Sequence, residues 1–148
     1  MRIWGDYHKK NGLLEILFLY AYGGQKRFFR ASRKSYYGFL RKRMAYSNSW
    51  SIKKGGLPVA DRDIRPGDMF VQNRTGGIGH VTMVLDACVD TSGRKYYLLG
   101  YSFMPAQEFH IERARKQYGK FGWFSLKGAY SYLNDYFNYG KPVLRRFK

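Results

Sequence analysis

Cysteine is nearly absent: Cys88 is the only one in 148 residues. An intrachain disulfide is therefore excluded, as is a zinc site built from several thiolates. Negative charge is missing from a long stretch as well. No Asp or Glu occurs between Glu15 and Asp61, while Lys26, Arg27, Arg30, Arg33, Lys34, Arg41, Lys42, Arg43, Lys53 and Lys54 do. No apolar run is long enough to span a bilayer. The best one, LLEILFLYAY from Leu13 to Tyr22, is interrupted by Glu15 and is too short. It follows a basic start but has no small-residue cleavage site, so it is not read as a secretion signal. Internal repeats, low-complexity tracts and a clear domain boundary are missing too.

What remains is a basic, aromatic chain. Lys plus Arg number 27 against 10 Asp plus Glu, a formal charge of +17, and aromatics make up 19%. The length suits one domain, residues 1–148, able to bury a core without staples. The charge attracts polyanions in general: nucleic acid, an anionic membrane surface or an acidic cell-wall polymer. In the basic N-terminal part, Phe28, Phe29, Tyr36, Tyr37 and Phe39 are either stacking platforms or core residues beneath a solvated face. No nucleic-acid-binding signature accompanies them.

Patterning divides the chain into a helical, basic and aromatic part over 1–56 and a sheet part with a C-terminal tail over 57–148. Residues 1–22 read as helix, with Leu13, Leu14, Leu17 and Phe18 sharing one face and Gly23-Gly24 ending it. The stretch to Trp50 reads as mixed helix and loop, and KGGLP at 54–58 as a turn. Strands are predicted at Asp68 to Gln72, His80 to Ala87, Lys95 to Phe103 and in the short EFHIE at 108–112, with a helix near Leu126 to Phe137. Closely spaced strands after helices imply an α+β fold, with N-terminal helices packed on an antiparallel meander.

One titratable group stands out. In GGIGHVTMVLD, period-two geometry sends Val81, Met83 and Leu85 to one face and His80, Thr82, Val84 and Asp86 to the other. His80 thus leads a strand on its more polar face, behind glycines that leave room beside the ring. It is a candidate general base; the alternative is a hydrogen-bonded structural histidine. His8 and His110 share no metal-ligand spacing with it, and no motif asks for a metal or cofactor.

The order PGDMFVQ, GHVTMVLD, YYLLGYSFMPAQEFHI, with GWFS and LRRF in the tail, resembles the bacterial family known as domain of unknown function 4846. The Pro-Gly-Asp and Gly-His pair further resembles the papain-like NlpC and CHAP-type cell-wall peptidases and amidases. That resemblance implies a papain-like fold, His80 as general base, and a cysteine at the start of an earlier helix as nucleophile. Cys88 does not fit, since it follows His80 by eight residues, more than about 20 Å along one strand. MRIWGDY resembles the run that follows the family's Cys-Ala-Asp motif, and the resemblance then implies a nucleophile before Met1 and an inactive chain as given. The residue orienting the ring falls at Tyr101, where the family has glutamine, with Gln107 and Ser102 as alternatives. Peptidoglycan peptides are the implied substrate, and the cell envelope or the exterior the implied location if an upstream signal exists. The competing expectation is a non-enzymatic module that binds a polyanion.

Overall fold

The computed structural model describes residues 15–19, 26–30, 41, 48–103 and 108–147. Most of them form antiparallel sheet. Two strands, β1 (Glu15–Leu19) and β2 (Lys26–Arg30), make a separate hairpin in which Leu17 pairs with Phe28 and Ile16 with Phe29. Helix α1 (Ser49–Gly55) follows. The main sheet then takes up β3 (Leu57–Pro58), β4 (Met69–Gln72), β5 (His80–Val89), β6 (Lys95–Tyr101), β7 (His110–Glu112), β8 (Gly119–Lys120), β9 (Trp123–Ser125) and β10 (Val143–Arg146), with helix α2 (Leu126–Tyr136) between the last two strands. The order is β3-β10-β4-β5-β6-β9-β8, and β7 pairs with the remaining length of the β6 edge.

The α+β, papain-like expectation with N-terminal helices is corrected by this architecture, an eight-stranded antiparallel sheet with two short helices among the described residues. The reading of residues 1–22 as helix fails at Glu15–Leu19, which is strand. A short apolar run satisfies helical and strand spacing alike. Here the antiparallel register with KRFFR, which sets Ile16 opposite Phe29 and Leu17 opposite Phe28, decides in favour of strand. Among the described residues, no helix is long and apolar enough to cross a membrane.

The core lies between one face of the sheet and α2. Phe70, Val84, Tyr97, Leu99, Tyr101, Phe124 and Leu144 supply the sheet side, while Ala129, Tyr132, Leu133 and the following Phe137 supply the helix side. Ser125 caps α2, its hydroxyl accepting from the Gly128 amide at 3.0 Å, which satisfies one of the amides that a helix start leaves open. The opposite face buries Met69 and Val71. Arg145, which pairs with Met69 and so shares that face, donates to the Lys53 carbonyl of α1 at 2.7 Å. The helices therefore lie on opposite faces of the sheet. Asp68, fully buried ahead of β4, receives Arg146 through two bonds of 2.6 and 2.8 Å and ties the end of β10 to the start of β4.

Candidate functional site

His80 opens β5 opposite Gln72 of β4. Its side chain points with Thr82 and Val84 into the core beneath α2, and this face is the buried one. A bulge between Val84 and Asp86 then turns Asp86 away, so that Ala87 joins the core in its place. The expected polar face is thus the packed one, and Asp86 does not belong to it.

The imidazole is only 4% exposed. Phe137 stacks on it at 3.9 Å with 16° between the planes; Tyr101 meets it edge-on at 4.8 Å and Phe103 at 5.5 Å. Burial, and then the nearby positive charge of His110, lower its pKa to about 4, so the ring is neutral at pH 7. Among the described residues its Nε2 finds no hydrogen-bond partner, and neither do Thr82 Oγ1 and Gln72 Oε1, both on the same face. Gln72 explains why Phe137 sits where it does. Its Nε2 donates to the carbonyls of Leu133, Phe137 and Gly140 at 3.1, 2.9 and 2.9 Å, which fixes the end of α2 over the ring.

Tyr101 lies beside His80, as the resemblance implies, but its hydroxyl serves other groups. It donates to Glu112 Oε2 at 2.7 Å and lies 2.6 Å from the Tyr132 hydroxyl. Burial pushes its pKa up to about 12, so it stays a neutral phenol. His110 completes the cluster, its ring 4.5 Å from Tyr101 and its Nε2 3.7 Å from Glu112. Ser102 is exposed, and Gln107 lies outside the described residues. Phe137, Glu112, Tyr132 and Gln72 were not anticipated. For Glu112 the signal exists, since His110 and Glu112 two positions apart in a strand must share a face. Phe137 and Tyr132 come from more than 30 residues downstream of Tyr101, and no local pattern connects them to it.

The glycine directly before His80 is needed for a close approach and leaves no room beside it. A Cβ at Gly79 would lie 2.3 Å from the Gln72 carbonyl and from Ser49 Oγ. Gly76 turns with φ +93°, and its carbonyl accepts from the Asn48 side chain at 3.1 Å. Asn73, fully buried, donates to Ser49 Oγ at 2.8 Å and to the Gly77 carbonyl at 2.9 Å, and its Oδ1 accepts from the Gly76 amide at 2.7 Å. The loop is thereby locked onto the start of α1, on the face opposite His80. Cys88, exposed near the other end of β5 and facing away from His80, supplies no nucleophile to this cluster. Among the described residues, no three His, Cys, Asp or Glu side chains converge as metal ligands.

A family model described as "Domain of unknown function (4846)" matches residues 20–146. No curated protein and no solved structure matches the chain.

Proposed function

We propose that this chain, which belongs to the domain-of-unknown-function 4846 family, is a polyanion-binding module that holds its ligand through surplus cations. The observation in its favour is where the carboxylates go. Asp61 accepts from the Tyr130 hydroxyl, Asp135 from Tyr118 and Glu112 from Tyr101. Asp90 is occupied by the amides of Ser92 and Arg94 in its own turn, and Asp68 by Arg146. Lys or Arg meets a carboxylate in three ion pairs among the described residues, at Arg62–Asp63, Arg94–Asp90 and Arg146–Asp68. Among the described residues, most Lys and Arg side chains thus meet no carboxylate. A depression of about 450 Å³, where Arg62, Arg94 and Lys95 outnumber the carboxylate of Asp61, offers one place for an anionic group.

Titration with labelled poly(dT) and with poly(glycerol phosphate) at rising ionic strength tests this reading. With about six phosphate contacts, affinity falls on the order of 10³-fold between 50 and 200 mM salt. Binding that ignores salt, or no binding to either polymer, removes it.

A second reading, amide hydrolysis related to the NlpC and CHAP-type cell-wall peptidases with His80 as base, has one observation in its favour. A buried imidazole nitrogen with no partner among the described residues asks for an explanation, and a nucleophile from outside those residues would give one. This reading needs Phe137 to swing aside so that substrate reaches the ring. Its check is muropeptide hydrolysis by the chain extended upstream and by the His80→Ala form of that protein; equal turnover rules His80 out.

A further inference from the structure

Strands β8 and β9 are joined by the two-residue turn Phe121-Gly122, with Lys120 paired to Trp123. Both turn residues have positive φ, +53° and +86°, which is the geometry of the I′ hairpin turn that favours Asn-Gly or Gly-Gly. Phe121 is the one non-glycine residue with positive φ among those described, and its side chain is 87% exposed. Folding gains from neither property. A bulky side chain is disfavoured in the left-handed region, and a ring left in water contributes no burial. Asparagine would build the same turn with less strain, so the phenyl ring is explained by something outside the fold.

Its surroundings are cationic. Lys120 Nζ lies 5.1 Å from the Phe121 ring, and the Arg115 guanidinium 5.6 Å from the ring of Tyr136. Arg113, Arg115, Lys116 and Lys120 fall within eight residues, and no acidic residue occurs between Glu112 and Asp135. From this we infer that the β8–β9 turn is a membrane-contact tip, which puts the Phe121 ring into the boundary between headgroups and acyl chains of an anionic bilayer while the neighbouring cations meet lipid phosphates. The inference rests on the polyanion reading and names its ligand.

Two features select a lipid surface over a nucleic-acid strand. The ring stands at the apex of a hairpin on the outermost strand pair of the sheet, whereas single strands are tracked by grooves with several stacking rings. Of the large apolar side chains exposed at and before β7, the other segment that borders β6, Phe109 at 54% and Ile111 at 56%, Ile111 is aliphatic and has no π face for a base. An apolar insertion ringed by Lys and Arg is the pattern of interfacial anchoring.

Co-sedimentation of the whole chain with phosphatidylcholine vesicles, with and without about a third phosphatidylglycerol, tests the inference alongside Phe121→Asn. The wild type binds the anionic vesicles and leaves the neutral ones. Phe121→Asn keeps the charge, folds with an unchanged or raised Tm, and binds about tenfold more weakly. Equal binding by Phe121→Asn overturns the tip but leaves the polyanion reading intact. Failure to bind vesicles together with Phe121-dependent binding to poly(dT) transfers the site to nucleic acid and overturns the lipid assignment. No binding to vesicles, poly(dT) or poly(glycerol phosphate) overturns both readings.

Discussion

At the His80 end of the sheet, Gln72 Oε1, His80 Nε2 and Thr82 Oγ1 are sealed under α2 without partners among the described residues, whereas at the β8–β9 edge an apolar ring stands in water. Each region reverses the usual arrangement of polar outside and apolar inside. The reversals differ in kind. The buried one is held by everything around it: Phe137 stacks on the ring, Gln72 fixes the helix end, and the Tyr101 hydroxyl joins Glu112 to Tyr132. The exposed one is held by its own turn and by Lys120 over the ring. An over-determined site is costly to change and slow to yield function to a visiting substrate. A locally determined tip can be changed at almost no cost to the fold, and there function separates cleanly from stability.

The largest expected effect is at the sealed end. Phe137→Ala removes the stacked ring and should destabilise the protein by about 3–5 kcal/mol in denaturant unfolding. By admitting water it should also raise the His80 pKa from about 4 towards its ordinary value, readable in an NMR titration of the imidazole. A pKa that does not move would mean that Phe137 does not seal the ring.

The pH dependence comes next. The folded pKa is lowered to about 4 from 6.5, so the unfolded chain binds the extra proton between those values. The contribution is therefore fully present above about pH 6.5 and is lost as pH falls through 4. It amounts to roughly 3 kcal/mol. His80→Gln should flatten that part of the stability profile; an unaltered acid limb would assign the loss to other groups.

Tyr101→Phe keeps the edge contact with His80 and deletes the hydroxyl between Glu112 and Tyr132. A loss of about 1–2 kcal/mol is expected, and no change at all would mean that solvent already satisfies Glu112. The smallest effect lies at the tip, where Phe121→Asn should be neutral or stabilise by about 1 kcal/mol through relief of the left-handed strain. A clear loss of Tm would show that the ring packs in solution, and would erase the contrast between the two regions.

The sequence made part of this legible. Alternation and Pro-Gly punctuation located β4, β5 and β6, and the helix expected near Leu126 to Phe137 is α2, ending at Tyr136. His80 beside Tyr101 was also within reach, because in an antiparallel pair the start of one strand lies beside the end of the next. The burial of that face was not. His80 and Thr82 look polar, but Phe137 arrives from 57 positions further along, and only tertiary packing brings it. β10 went unrecognised because VLRR carries two arginines. One of them neutralises buried Asp68 and the other reaches the Lys53 carbonyl, tasks that leave no mark on local hydropathy. The β1 segment was misassigned because a run of four Ile, Leu and Phe residues behind Glu15 suits either period.

The place of β10 between β3 and β4 also sets an order of events during synthesis. Residues 57–72 emerge from the ribosome long before the segment at 143–146 that must slide in beside both, so for most of translation their backbone amides and carbonyls lack that neighbour. A nascent chain halted before Val143 would present an open, Met- and Val-rich border able to recruit a stray strand from another molecule. Truncation there should therefore give aggregates instead of a smaller folded body.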